Sequence, residues 1–167
     1  MLPVGSAVAN WPRIEKRPYG FFAYNLADWG GPAARAVEIH IANPFAPASA
    51  FADPQQRRRE LRHLLSDAKN AHPDATHLAT GTWLNAFPPF LAFFPPEWAA
   101  SAHPVTTASW GGGHWGQFYT RRGGFHRQNG EHLRRTGELR YPPLHCHCRL
   151  DTVIAHLDEA MAAAQNE

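Results

Sequence analysis

The chain has 167 residues, of which 44% are apolar and 18% are charged. It is long enough to bury one hydrophobic core, and this composition excludes a disordered, highly charged tail. Sixteen Lys and Arg against 14 Asp and Glu give a formal charge of +2, which argues against a nucleic-acid-binding character of the whole chain. No apolar run approaches the ~20 residues that span a bilayer, and the first residues lack the features of a secretory signal. We therefore predict one globular domain over residues 1–167, located in the cytoplasm and without membrane contact.

Strand, helix and strand follow one another between residues 36 and 83. Residues 19–25, 36–42 and 76–83 are rich in aromatic or β-branched side chains and are bounded by turn-forming residues, which predicts strands. A helical pattern lies between the second and the third strand. Such a βαβ crossover makes its strands parallel neighbours, so we predict an α/β fold, a small mixed sheet with helices packed on it. An α+β arrangement is the alternative.

The helix of this unit has the clearest start in the chain. Asp53 is a favoured N-cap, Pro54 suits the first helical position, and Gln56 is placed to close a capping box. Leucine and alanine recur every three or four residues up to about Asn70, which predicts a stripe that faces the core. Because Arg57 to Arg59 lie largely off that stripe, we predict that they form a solvated face.

The second half of the chain has less regular patterns. Proline pairs interrupt the phenylalanine-rich region 86–104, which predicts short helical turns that form a wall or lid over one end of the sheet. A further strand is predicted at 105–110, and helical character at 114–122 and 125–135. Asp151 begins a final helix that we expect to close the core.

Polar side chains are predicted at the ends of the two parallel strands. Glu38 and His40 share one face of the first strand because strand side chains repeat every two residues, and a carboxylate beside an imidazole is a usable acid–base pair. Ligands of open α/β sheets bind beyond the carboxyl ends of parallel strands, where Asn43, Trp83 and Asn85 are also expected. The alternative is that Glu38 and His40 satisfy each other in the core.

A glycine-rich segment at 111–113 opens a helical pattern and presents backbone N–H groups to an anion or a polarised carbonyl. Its glycines match neither a Walker loop nor a Rossmann turn, so nucleotide binding is not predicted. His114 and Arg122 fall on one mixed polar and aromatic stripe, which suits a pocket wall, and Trp115 and Gln117 add an aromatic surface and an amide. A tight turn followed by a core helix is the alternative.

The run His145-Cys146-His147-Cys148 places four metal-binding side chains in four residues. In an extended segment the two His lie on one side and the two Cys on the other, so a metal site would use either Cys146 and Cys148 or His145 and His147. Distant residues such as His114, His132 or His156 would complete it. The ion would be a transition metal such as Zn or Fe. A site of four cysteines is excluded because the chain has only two. The alternative is that both thiols are buried as small apolar groups.

These residues together predict a small-molecule enzyme of the lyase, isomerase or hydrolase type, with an aromatic-lined pocket at the carboxyl ends of the strands. The predicted catalytic residues are His40, Glu38 and His114. The predicted substrate-binding residues are Asn43, Trp83, Asn85, Trp115, Gln117 and Arg122. The region 87–94 is a further candidate wall of the pocket.

Two other classes of function stay open. One is a non-catalytic metal- or ligand-binding protein with the Cys and His site, and the other is a module that binds RNA or a protein through residues 110–150, where seven Arg oppose two Glu. Nucleic acid is the less favoured partner because the whole-chain charge is small. The substrate, any cofactor other than such a metal and the formation of a homo-oligomer are not fixed by the sequence. Segments 82–85 and 115–118 resemble segments of uncharacterised bacterial proteins, a resemblance that implies no activity.

Overall fold

The structure, a computed structural model, describes residues 19–106 and 112–165. In these ranges the strands are β1 (Phe22–Ala27), β2 (Ala36–Ile41), β3 (His77–Thr82), β4 (His103–Pro104) and β5 (Leu144–Arg149). The helices are α1 (Pro54–Ala71), α2 (Pro88–Leu91), α3 (Pro96–Ala100), α4 (Arg127–Thr136) and α5 (Leu150–Ala163). Short 3-10 helices lie at Gly31–Ala33, Trp83–Ala86 and Gly112–Phe118. The strand predicted at 105–110 falls mostly outside the described residues, as does Gly111.

The strands form one sheet in the order β1-β2-β3-β5-β4. β2 and β3 are parallel and are joined through α1, while the other neighbouring strands are antiparallel. The predicted βαβ unit is therefore confirmed. So is the α/β fold, with a small mixed sheet and helices packed on it in a single domain.

The start of α1 follows its sequence signal in part. Asp53 caps the helix, because its Oδ1 accepts a hydrogen bond from the backbone N–H of Gln56 at 2.8 Å. The side chain of Gln56 does not complete the predicted capping box, since its Nε2 donates to Glu60 Oε1 at 3.3 Å. Half of the box is thus formed, and the other half is replaced by a contact one turn further along the helix.

One face of the sheet carries the hydrophobic core. The side chains of Val37, Ile39, Leu78 and Cys146 on this face are at most 1% exposed, and they pack in one cluster with the apolar stripes of α1 and α5. The predicted stripe of α1 is confirmed, because its leucines are fully buried there. None of the helices in the described ranges is long and apolar enough to cross a membrane.

The proline-broken region forms short helical turns as predicted, but their aromatic side chains belong to this core. Phe90, Phe93 and Trp98 are at most 1% exposed, and Phe94 stacks on Trp98 with ring centroids 4.2 Å apart. Burial on this scale stabilises the fold by roughly 1.5–3 kcal/mol for each side chain. The prediction that these phenylalanines line a pocket is wrong, because they fill the core instead.

Arg57 also departs from the prediction of a solvated face. Its side chain is buried, its Nη2 lies 2.9 Å from Glu60 Oε1, and its guanidinium lies 4.0 Å from the centroid of the Phe45 ring. The reason is that Phe45 of the loop before α1 covers the first turn of the helix. Arg59, two residues later, is exposed as predicted.

Candidate functional site

The face of the sheet opposite the core is lined by polar side chains, most of them histidines. We call it the histidine face and define it by Glu38, His40, His77, His103, His145 and His147. Each of these side chains is half-buried apart from His103, which is exposed. They share this face because strand side chains alternate, and the residues between them, such as Ile39 and Cys146, point into the core.

Glu38 and His40 lie on one face of β2 as predicted, and Asn25 of β1 links them. Asn25 Nδ2 donates to Glu38 Oε2 at 3.5 Å, and Asn25 Oδ1 is hydrogen-bonded to His40 Nε2. An amide oxygen only accepts, so the proton of the neutral imidazole lies on Nε2 and the lone pair on Nδ1. Sequence reasoning missed Asn25 because its place opposite Glu38 follows from the antiparallel register of β1 and β2.

The imidazole of His145 is held between Trp29 and the backbone of β3. Trp29 meets it edge-on, with ring centroids 4.7 Å apart. A Cβ atom at Gly81 would lie 2.8 Å from both Nδ1 and Cε1 of His145, so this edge of the ring rests on the glycine. His145 Nδ1 is closed to solvent and has no hydrogen-bond partner among the described residues. The ring therefore has a fixed position on the histidine face.

His103 lies directly opposite His145 in the pairing of β4 and β5. The two ring centroids are 5.2 Å apart, and His103 Nδ1 lies 3.2 Å from the carbonyl oxygen of Ser101. Burial lowers the pKa of His145, and the charges of His103 and His114 lower it further. The predicted catalytic residue His114 is therefore close to His145, with which the sequence also grouped it as a possible metal ligand.

A second histidine pair lies further along the same strands. The rings of His77 and His147 have centroids 6.2 Å apart, and His77 Nδ1 lies 2.9 Å from Thr76 Oγ1. Burial lowers the pKa of His77, followed by the charges of His147 and Arg149. One member of each pair, His77 and His145, thus favours the neutral imidazole.

The predicted substrate-binding amides are held by the protein itself. Asn85 is buried, and it donates through Nδ2 to the carbonyl oxygens of Thr80 at 3.0 Å and Leu144 at 2.8 Å. Its Oδ1 accepts from Trp98 Nε1 at 3.0 Å. Asn85 therefore ties the end of β3 to β5 and to α3.

Gln117 and Asn43 have comparable roles in loops. Gln117 Nε2 donates to the carbonyl oxygen of Tyr141 at 2.8 Å, and its Oε1 accepts from the Tyr141 N–H at 3.2 Å. Asn43 Nδ2 donates to the carbonyl oxygen of Ala48 at 3.1 Å, and its Oδ1 accepts from the Phe45 N–H at 3.0 Å. A substrate would have to displace these internal hydrogen bonds.

Trp83 lies against Gly116 of the 3-10 helix Gly112–Phe118. Its ring contacts Phe87 and Tyr141, and its Nε1 lies 3.2 Å from where a Cβ of Gly116 would be. No hydrogen bond or ring contact in the described part of the chain joins Trp83 to His40 or Glu38. Within the described residues, Trp83 and the acid–base residues therefore have separate sets of contacts.

The segment after Phe118 turns back instead of continuing as a helix. Tyr119 pairs with Phe125 in an isolated β-bridge, and Gly123 has a φ of 79°, which only glycine adopts readily. The predicted helical stripe is therefore broken, and Arg122 is exposed within the turn. As a result three aromatic side chains with core-like helical spacing lie at the surface, namely Trp115, Tyr119 and Phe125, which are 43%, 65% and 56% exposed.

The predicted metal ligands are not brought together. Cys146 and Cys148 lie in the hydrophobic core, where burial raises the pKa of the Cys146 thiol to about 12 and also raises that of Cys148. His132 lies on α4, beside a shallow open concavity lined by Arg134 and Arg135. Within residues 19–106 and 112–165, no three His, Cys, Asp or Glu side chains are grouped so that they could hold a metal ion.

Comparisons with known proteins give no further assignment of this site. The chain matches no protein-family model, no curated protein and no solved structure. Its function has to be argued from its own residues, and the histidine face is where their chemistry is concentrated.

Proposed function

We propose that the protein is a small-molecule enzyme of the lyase, isomerase or hydrolase type, in which His40 transfers a proton on the histidine face. The observation that carries this proposal is the hydrogen-bonded chain from Glu38 through Asn25 to His40. It leaves the Nδ1 lone pair of His40 available to a substrate, as a general base requires.

The two partners of His40 have distinct roles in this mechanism. Asn25 fixes the orientation and the tautomer of the imidazole by accepting its Nε2 proton. Glu38 accepts a hydrogen bond from the same amide, so its negative charge lies near the imidazolium that forms when Nδ1 takes up a proton. Asn25 and Glu38 are therefore positioning residues, and His40 is the catalytic residue.

The rings of His145 and Trp29 lie beside His40, at the position of Gly81. Extending the parallel register of β2 and β3 by two residues brings His40 beside Gly81, which has no side chain. Trp29 borders the other side of this position, 3.6 Å from where a Cβ of Gly81 would lie. A small substrate that contacts His40 would therefore lie next to the rings of His145 and Trp29.

A panel of small esters, amides, phosphoesters and hydroxy acids tests the proposal, with turnover measured for the natural sequence and for His40→Gln. We expect His40→Gln to lower kcat by about a hundredfold or more with an unchanged melting temperature, because a general base contributes that much. Asn25→Ala should lower kcat and shift its pH profile. His63→Gln is the matched control, since His63 is an exposed histidine on α1 that pairs with Asp67. Equal turnover by His40→Gln, or no turnover of any class, would overturn the proposal.

A second candidate is a surface that binds single-stranded RNA. The exposure of Trp115, Tyr119 and Phe125 favours it, because bases stack on exposed aromatic rings and Arg121 and Arg122 lie in the same turn. Binding of a fluorescent oligouridylate should then weaken in Tyr119→Ala and Arg122→Ala and fall steeply with salt. Arg59→Ala, which removes an exposed charge from α1, is the control. Binding unaffected by the two turn variants would exclude this function.

A further inference from the structure

One pair of imidazoles on the histidine face has the spacing of two ligands of one metal ion. His103 and His145 are cross-strand neighbours whose ring centroids are 5.2 Å apart. Zinc lies about 2.0–2.1 Å from an imidazole nitrogen, and the ring centre lies roughly 1.1 Å behind that nitrogen. Two imidazoles at a tetrahedral angle then have centroids about 5.2 Å apart. The observed separation equals this value.

A hydrogen bond at His103 and close packing at His145 leave Nε2 as the nitrogen of each ring that can bind a ligand. His103 Nδ1 donates its proton to the carbonyl oxygen of Ser101, so the lone pair of the neutral ring lies on Nε2. This pattern, in which the second ring nitrogen bonds to a carbonyl, is typical of histidine ligands of metals. In His145 the edge with Nδ1 and Cε1 rests on Gly81, so only Nε2 can reach a ligand.

The other histidine pair of this face lacks such geometry. The centroids of His77 and His147 are 6.2 Å apart. With the same bond length, one ion could join them only at a nearly linear angle of about 150°, far from the tetrahedral arrangement that zinc prefers. The two pairs have the same chemistry, so the difference in spacing favours the pair His103 and His145.

We propose that His103 and His145 bind a divalent transition-metal ion such as Zn²⁺ through their Nε2 atoms. Among the described residues, no third His, Cys, Asp or Glu is grouped with these two histidines, so water or a bound small molecule completes the coordination. The site uses neither Cys146 nor Cys148, and it does not depend on proton transfer by His40.

Zinc binding to the untagged full chain, freed of metal by a chelator, tests this proposal. Titration with Zn²⁺ against a chromophoric competitor should give one ion per chain. His103→Ala should weaken the affinity by about tenfold or more, because the second ligand of a chelate acts at high effective concentration. His103 is exposed on a two-residue edge strand, so this variant is expected to fold. His77→Ala removes one imidazole from the same face and should retain the affinity.

The imidazole nitrogen signals in NMR give a second readout, because Zn²⁺ should shift Nε2 of His103 and of His145 and leave the signals of His77 in place. The proposal is overturned if Zn²⁺ does not bind, if His103→Ala binds as tightly as the natural sequence, or if His77→Ala loses as much affinity as His103→Ala. Shifts at the cysteines instead of these nitrogens would equally overturn it.

Discussion

Gly81 determines where the imidazole of His145 can lie. A Cβ atom at position 81 would come within 2.8 Å of two atoms of that ring, a distance that real Cβ atoms do not show. The backbone itself does not require glycine there, because Gly81 lies in a strand with no positive φ. The need for glycine at this residue is thus a matter of packing and not of chain conformation.

Gly81→Ala should therefore displace His145 and destabilise the fold by about 1–3 kcal/mol, the range for one added methyl group in a packed position. Urea unfolding measures the change. The control is the double variant with His145→Ala, in which the added methyl group keeps only an ordinary contact with Trp29 at 3.6 Å, so the cost of Gly81→Ala should fall. An equal cost with and without the His145 ring would show that the close approach is not the cause.

His77 makes the stability of the fold depend on pH. Its pKa in the folded chain lies below the ordinary value of 6.5, first because of burial and then because of His147 and Arg149. As the pH falls through about 6.5, the unfolded chain takes up a proton at this site before the folded chain does, so stability decreases until the lowered folded pKa is reached. His77→Gln should flatten this part of the plot of unfolding free energy against pH. A plot of unchanged slope would contradict the assignment.

At the scale of elements, local sequence patterns predicted the unit from β2 to β3. Long-range contacts explain where the structure differs from those predictions. Asp53 and Pro54 mark the start of α1, and its leucine spacing marks the buried side, because capping and periodicity are properties of a short segment. The burial of Arg57 depends on Phe45, which reaches it through the fold of the preceding loop. The apolar periodicity of α1 alone does not reveal this contact between Phe45 and Arg57.

The residues of the candidate site were likewise predicted where a local pattern places them and missed where long-range contacts do. The alternation of β2 and β5 predicted which side chains share a face, and the structure confirms that Glu38 lies with His40. Asn25, Trp29 and Gly81 were missed because they join the site through strand pairing and a turn. The predicted stripe after His114 was wrong because the chain turns back at Gly123.

Asn85 connects three elements, and its removal should be costly. Asn85→Ala leaves the Thr80 and Leu144 carbonyl oxygens and the Trp98 indole N–H without their partner. At about 1–3 kcal/mol for each buried group left unpaired, we expect a loss of at least about 3 kcal/mol in the free energy of unfolding. Chemical denaturation measures it. Asn43→Ala, in a more exposed loop, is the control and should lower the free energy of unfolding by less. An Asn85→Ala variant as stable as the natural sequence would show that water replaces the hydrogen bonds of Asn85.

For the whole molecule, the sheet separates the hydrophobic core from the histidine face. Cys146 lies fully buried between the sheet and the helices, with a thiol pKa of about 12. A disulfide-forming reagent such as Ellman's reagent should therefore react with this thiol only when the whole fold opens.

Cys148→Ser leaves Cys146 as the single thiol, and in this variant native protein should react at the rate of global unfolding. Guanidinium should make the reaction immediate. Fast labelling of the native variant would contradict the burial of Cys146, whereas a rate that follows the unfolding rate across denaturant concentrations would confirm it.

Side chains along β5 alternate between the two faces of the sheet, and this alternation determines which substitutions and insertions the fold can accept. Because His145 and His147 point away from the core that holds Cys146 and Cys148, the side chains at positions 145 and 147 can be changed without repacking the interior. An insertion of one residue just before Leu144 that shifted the register would exchange the two sets, placing imidazoles among the leucines and thiols in solvent. Point substitutions on β5 should therefore be tolerated at every second residue, while changes in the length of the preceding connection should not be tolerated at all.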